Sequence, residues 1–372
     1  MKKLDITELI EASRRYGTDA RFVLLGGGNT SVKNDEVMYV KASGHALGTI
    51  DEKGFVAMNL ARLNAIWQRE YPSKPEERES EVLADMMAAR CEGEGGRPSV
   101  EALLHATIPY KYVIHMHPAI INGLTCGQSG KEAASELFKD SIWIPLVNPG
   151  YILAKTVREA QERYNATHNE KASLIFLQNH GVFVAGETIE AIDTIYNHLL
   201  EVLEKYVVRK PNFKSVKVNE KRVEDIKRVL ATFFENSKGI PFVMNRELAV
   251  RLRDRNTFYP ISSAYTPDHI VYSGFAPLWI GEELFSGNDS DEAILKALKE
   301  YTAKNLVPPK MVVVQNTGAF AVDEKAMTLF LDTLKVATFA ESFGGPRFMD
   351  DDQIDFIRNW EVESYRSKLL EK

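Results

Sequence analysis

Histidine at alternate positions is the first chemical signal in this chain. His115-Met116-His117 closes the apolar run Tyr112–His117, which has the character of a β-strand. Side chains two positions apart on a strand share a face, so both imidazoles can grip one metal ion. The pair alone suits two incidental histidines on a solvated face equally well. His180 adds weight, because Asn179 and Gly181 flank it in a turn between the apolar runs Leu174–Leu177 and Val182–Ala185. A third imidazole projecting from that turn completes a set. Three histidines with one open position is the layout of a catalytic zinc and not a structural one. Glu101, ahead of His115 and near a helix start, is placed to serve as acid/base or as a ligand at the open position.

A second group of residues suits an anion. Gly26-Gly27-Gly28-Asn29-Thr30-Ser31 is followed by Ser43-Gly44 and later by Ser99. Most glycine runs are plain turns. Here the backbone N–H groups, with Asn29 and Ser43, are suited to face a phosphate. Ser99 reads as the N-cap of a short helix, and helix starts favour anions. The run is not G-x-G-x-x-G, and no nucleotide-fold signature follows it, so a dinucleotide site is a poor reading. Gly127-Gln128-Ser129-Gly130-Lys131 lacks the first glycine of a Walker loop and is set aside. The other histidines read more plainly. His105 shares a helix face with Glu101, as a partner of the site or as a packed residue. His45 is placed to line the site, and His168, His198 and His269 read as surface positions.

Composition bounds what these residues serve. The chain has 372 residues, 44 % of them hydrophobic and 26 % charged, which is ordinary for a globular protein with two sizeable cores. A net charge of -6 disfavours nucleic acid as the main partner but leaves small anions open. Cys91 and Cys126 form no C-x-x-C pair and read as free thiols. The acidic residues Asp5, Glu8 and Glu11 exclude a signal-peptide core, and no run is long enough for a membrane helix. The expectation is a cytoplasmic protein without a membrane or nucleic-acid partner.

The elements that position these residues follow from pattern. Helices are expected over Asp5–Tyr16, Ser80–Cys91 and Glu187–Val208, the last with Ile189, Ile192, Tyr196, Leu199 and Leu203 at helical spacing. Short runs at Phe22–Leu25, Val37–Val40 and Phe55–Met58 read as strands of an antiparallel sheet. The basic, proline-containing stretch Arg209–Lys217 marks a boundary, giving domains 1–209 and 210–372. The second part echoes the first. Gln178-Asn179-His180-Gly181-Val182-Phe183 is matched by Gln315-Asn316-Thr317-Gly318-Ala319-Phe320, each between an apolar run and a long helical one. We expect a diverged partial repeat in which Thr317 has replaced the histidine, so this copy is metal-free.

Taken together, five segments resemble the class II sugar-phosphate aldolase/adducin-head family. They are Gly28-Asn29-Thr30-Ser31, Lys41-Ala42-Ser43-Gly44, Pro98-Ser99-Val100-Glu101, His115-Met116-His117 and Asn179-His180-Gly181, in the family's order over residues 20–205. The wording around Val40–Gly44, Ser99–His105 and Tyr265–His269 is most similar to the aldolase portion of bacterial rhamnulose-phosphate aldolase/dehydrogenase fusions, without the dehydrogenase half. The resemblance implies a three-layer α/β/α domain with a largely antiparallel central sheet, followed by a C-terminal α/β domain. It implies Zn²⁺ on His115, His117 and His180, Glu101 as acid/base, and phosphate held by Asn29, Ser43, Gly44 and Ser99. The implied reaction is cleavage of a small ketose 1-phosphate to dihydroxyacetone phosphate and an aldehyde. A pentulose-phosphate 4-epimerase, a decarboxylase or a non-enzymatic adducin-like module are the alternatives; epimerase relatives place aspartate where this chain has Glu101. One departure is Val100, where fuculose-phosphate aldolases carry a second serine. Relatives take a further acid from a tyrosine near the C-terminus, for which Tyr365 is the candidate. They form four-fold rings with the site at an interface, so a homo-oligomer is expected, and a chain with two copies would close such a ring as a dimer.

Overall fold

The computed structural model describes residues 4–236, 239–285 and 289–360. It divides into two compact units. Described residues within Met1–Thr125, Ser129–Tyr206 and Phe356–Lys372 form the first, and those within Cys126–Gln128 and Val207–Asp355 the second. No described helix is long and apolar enough to cross a membrane.

The first unit is built on seven strands: β1 (Asn29–Lys33), β2 (Val37–Lys41), β3 (Phe55–Asn59), β4 (Tyr112–Met116), β5 (Ser141–Ile144), β6 (Leu174–Leu177) and β7 (Gly181–Gly186). Their order is β3-β2-β1-β4-β7-β6-β5. Every pair is antiparallel except β5 with β6. Tight turns explain the hairpins. Asn34 accepts the N–H groups of Glu36 and Val37 at 2.9 and 2.8 Å and so closes β1 onto β2. Asn179 takes a left-handed conformation, φ 55°, between β6 and β7.

Alternation along the strands sorts side chains to two faces. Met38, Val40, Met58, Val113, Ile175, Leu177 and Phe183 form one buried layer with the helices Ala102–Thr107 and Tyr151–His168. On the other face lie the helices Thr7–Thr18 and Ile189–Tyr206. Tyr196 donates its hydroxyl to the Ile114 carbonyl at 3.0 Å, and its ring packs with those of Tyr16 and Phe22. The unit is therefore a three-layer α/β/α arrangement with a largely antiparallel sheet, as expected.

The run Phe22–Leu25 is not a strand. Leu25 has φ 51°, and the chain turns through the glycines before β1 begins at Asn29. Phe22 and Val23 are buried because the Phe22 ring enters the tyrosine cluster, not because the run joins the sheet. An apolar run looks the same in either setting.

The second unit holds β8 (Phe242–Val243), β9 (Leu278–Ile280), β10 (Met311–Val314) and β11 (Gly318–Ala321), in the order β8-β11-β10-β9. Only β9 and β10 run parallel. Order and pairing sense are those of β4-β7-β6-β5 in the first unit. The turns agree bond for bond. Gln178 N–H donates to Ile144 O at 3.0 Å, and Gln315 N–H to Ile280 O at 2.9 Å. Asn179 N–H donates to Thr125 O at 3.1 Å, and Asn316 N–H to Leu252 O at 3.0 Å. Asn316 repeats the left-handed conformation at φ 53°. The helices Ser290–Asn305 and Glu324–Ala340 occupy the chain positions that Tyr151–His168 and Ile189–Tyr206 occupy in the first unit. Phe242 pairs with Phe320 where His115 pairs with Phe183.

Candidate metal centre

Strand pairing puts His115 at the centre of the sheet, opposite Asn29 on β1 and Phe183 on β7. It is fully buried. Its Nδ1–H donates to the Val182 carbonyl at 3.0 Å, and its ring stacks on Phe183 at 4.0 Å and 13°. A carbonyl only accepts, so this bond fixes the tautomer and leaves the lone pair on Nε2. That Nε2 lies 2.9 Å from His117 Nε2 and 3.4 Å from His180 Nε2. His117 stands just past β4, its N–H held by the Phe22 carbonyl at 3.0 Å. His180 follows left-handed Asn179 and donates its N–H to Leu177 O at 3.2 Å. Gly181 lets the turn approach β4: a Cβ there would lie 2.6 Å from both His117 Cδ2 and Met116 O.

Three Nε2 atoms pointing into one space fit a metal. Bonds of about 2.0–2.1 Å in a tetrahedral site place nitrogen donors about 3.3 Å apart. The observed separations of 2.9 and 3.4 Å fall around that value. The ligand atoms of His115, His117 and His180 all lie within 4.8 Å of one another. An all-imidazole set suits zinc and several other divalent transition ions.

Glu101 occupies the N-cap position of the Ala102–Thr107 helix. Its Oε1 lies 3.3 Å from His115 Nε2 and 3.7 Å from His180 Nε2, inside the same niche. Its Oε2 accepts from Asn29 Nδ2 at 3.1 Å. The Asn29 amide also donates to Ser99 Oγ, and Ser99 Oγ accepts the Glu101 N–H at 3.2 Å. Ser99 is thus not the N-cap itself; its hydroxyl closes a turn two residues earlier, because Glu101 takes the capping position. Asn29 Oδ1 is buried and has no hydrogen-bond partner among the described residues.

Ser43 and Gly44 reach this region through a second zipper of bonds. Ser99 N–H donates to Lys41 O at 3.0 Å, Ser43 N–H to Arg97 O at 2.9 Å and Ser43 Oγ to Pro98 O at 3.2 Å. Gly44 has φ 85°, which its lack of a side chain allows. Val100 lines a small cavity with Val82, Met86 and Leu103, so an apolar residue there has a packing reason.

Three features escape sequence reasoning or correct it. Phe183 and the Val182 carbonyl fix the His115 ring, and only the β4–β7 register reveals them. His105 is fully buried, bonded through Nδ1 to Ser31 Oγ at 2.8 Å and set edge-on to Phe183. Burial pushes its pKa down to about 3, with the Glu101 carboxylate opposing this only in part. His269, expected at the surface, is 1 % exposed and bonds Thr266 Oγ1 through Nδ1 at 2.8 Å. Its burial comes from the short helix Pro267–Ser273, whose residues are mostly buried. His45, by contrast, is exposed. Tyr365 lies outside the described residues.

Residues 7–206 match the family described as Class II Aldolase and Adducin N-terminal domain. The chain belongs to this family. A class II aldolase domain from Thermoplasma acidophilum is 27 % identical, with a TM-score of 0.47, over 55 % of this chain and 95 % of that one. The L-fuculose-1-phosphate aldolase of Thermus thermophilus is 15 % identical, with a TM-score of 0.33, over 54 % of this chain and 94 % of that one. An uncharacterized oxidoreductase of Bacillus subtilis strain 168, YuxG, is 24 % identical over 98 % of this chain. The chain spans 58 % of that relative's length. The matched family segment contains all seven strands of the first sheet, the three histidines and Glu101.

Proposed function

We propose that this class II aldolase family member is a metal-dependent lyase. Its substrate is a small ketose 1-phosphate of the fuculose or rhamnulose type, split into dihydroxyacetone phosphate and an aldehyde. The observation that carries the reading is the approach of a Glu101 carboxylate oxygen to 3.3 Å from His115 Nε2, inside the space where three imidazoles converge. A pair of incidental histidines has no use for such an arrangement.

His115, His117 and His180 hold the ion, zinc in the first instance. Bound there, it supplies Lewis-acid stabilisation of the negative charge that develops on the substrate's oxygens. Glu101 moves the proton at the carbon next to the substrate carbonyl. Asn29, bonded to Glu101 Oε2 at 3.1 Å, keeps that carboxylate oriented. Ser43, Gly44 and Ser99, with Asn29, hold the phosphate. The bonds tying Lys41–Ser43 to Arg97–Ser99 support this reading, since they hold Ser43 beside Ser99 and so near the proton-transfer group. In the second unit the positions equivalent to His115, His117 and His180 carry Phe242, Met244 and Thr317, and we read that unit as a diverged, metal-free copy.

The test is a screen of ketose 1-phosphates for dihydroxyacetone phosphate release, with and without chelator. The expected result is release from at least one, lost on chelation and restored by a divalent ion. An epimerised pentulose phosphate or released CO₂ in place of two fragments would replace the lyase reading. Full activity in chelator would overturn the metal role.

A further inference from the structure

Between residues 67–73 and the Tyr151–His168 helix of the first unit lies a cleft of ≈ 580 Å³, lined by none of the metal-centre residues. Its floor is aromatic. Trp67 and Tyr151 have ring centroids 5.6 Å apart, and Tyr71 and Tyr151 5.1 Å apart. Four cations line the cleft: Arg69, which pairs with Glu81 and Asp85, and Arg78, Lys155 and Arg158. The Arg158 guanidinium sits 5.0 Å from the Trp67 ring centre. Arg78 lines the cleft yet is only 13 % exposed at its side chain, because buried Glu79 holds it at 3.1 Å. Glu79 is itself fixed by the Tyr151 N–H at 3.0 Å, so Arg78 is pre-set before any ligand arrives. Lys155 is exposed and makes no ion pair among the described residues.

Charge and shape together select the ligand. Glu162 pairs with Arg158 at 2.9 Å, and Glu70 and Glu159 also line the cleft. The rim is therefore only mildly positive, and a bare polyphosphate gains little from it. A ligand must add contact with the aromatic floor, which calls for a flat ring system beside its anionic group. A volume of ≈ 580 Å³ accommodates both.

We propose that this cleft is a second ligand site of the chain, for a nucleoside phosphate. The base lies on the Trp67 and Tyr151 rings beside the Arg158 guanidinium, and the phosphate meets Arg78 and Lys155. This site does not depend on the proposed lyase reaction.

The experiment is calorimetric titration of the full chain with ADP in the presence of chelator, which keeps the metal centre out of the result. The comparison is a Lys155→Ala/Arg158→Ala double variant, in which Lys155 is exposed and Arg158 half-buried, with its fold checked by circular dichroism. Saturable ADP binding that quenches tryptophan fluorescence is expected, weakened roughly tenfold or more in the double variant. A Trp67→Leu variant should lose the quenching and most of the affinity. Adenosine alone and pyrophosphate alone should each bind more weakly than ADP. No saturable binding at millimolar ADP would overturn the proposal, and so would unchanged affinity in the double variant. Pyrophosphate binding as tightly as ADP would overturn the role of the aromatic floor. None of these outcomes touches the lyase reading, which fails or stands on product release.

Discussion

Glu101 divides one carboxylate between two neighbours, Asn29 on Oε2 and the imidazole niche on Oε1. Replacing Glu101 by Gln keeps the size and a hydrogen-bonding oxygen but removes the exchangeable charge. Turnover should fall roughly 10²–10⁴-fold while metal content stays unchanged. Product release and metal analysis on the same preparation check this; normal turnover with intact metal would remove Glu101 from the chemistry. His105 gives a second test. It stays neutral in the fold down to about pH 3, from an ordinary value of 6.5. Between those values the unfolded chain binds a proton that the folded chain does not. Stability therefore falls as pH drops through the window, and this group has no such effect above it. The slope reaches at most about 1.4 kcal/mol per pH unit. His105→Gln should flatten it, read as the difference in urea midpoint between neutral and mildly acidic buffer. An identical pH dependence in both proteins would refute the assignment. The His105 role was not legible from sequence: its spacing from Glu101 showed a shared face, but not that Ser31 and Phe183 would close over it.

The strand–turn–strand element β6–β7 sets where His180 goes. At Gly181 a methyl group would press on Met116 O and His117 Cδ2 at 2.6 Å, and the first of these is backbone that cannot rotate away. Gly181→Ala should destabilise the fold by about 1–3 kcal/mol. It should also weaken metal binding roughly 10–100-fold, because the β4 ligands are pushed off their positions. Gly186→Ala is the control, since its new contacts begin at 3.3 Å. Competitive chelator titration of both variants gives the comparison; equal metal affinity would show that the turn has slack. The same scale shows why local patterns succeed and fail. The Ile189–Tyr206 helix is close to its expected limits because it carries its period over many residues, and β6 and β7 are close to theirs because the Gln178–Gly181 turn separates two apolar runs. Phe22–Leu25 failed because four apolar residues carry no period that separates a strand from a buried turn.

Across the whole molecule, four strands of the first sheet and the four of the second share one order and one set of turn bonds, but only the first set carries imidazoles. If the second unit is a diverged copy, its backbone should still hold a metal when given the side chains. The Phe242→His/Met244→His/Thr317→His variant is expected to bind a second equivalent of zinc or cobalt, with a tetrahedral cobalt spectrum. Should the loss of Phe242 unfold the unit, the double variant at Met244 and Thr317 keeps the test open with a weaker site. A folded protein with one equivalent in both variants would sink the copy reading.

By itself, the sequence determined the donor types, the shared face of His115 and His117, and the turn that presents His180. It also determined the existence of a second, histidine-free version of that turn. These are local properties, written in alternation and in glycine and asparagine at fixed offsets. Tertiary structure alone decided that Asn29 stands opposite His115, that Phe183 backs the ring, and that Glu101 faces the imidazoles while bonded to Asn29. It also decided that His105 and His269 are buried. Each of these depends on which distant strands pair and in what register. That choice is made by the summed burial of whole faces, which no short stretch of sequence contains.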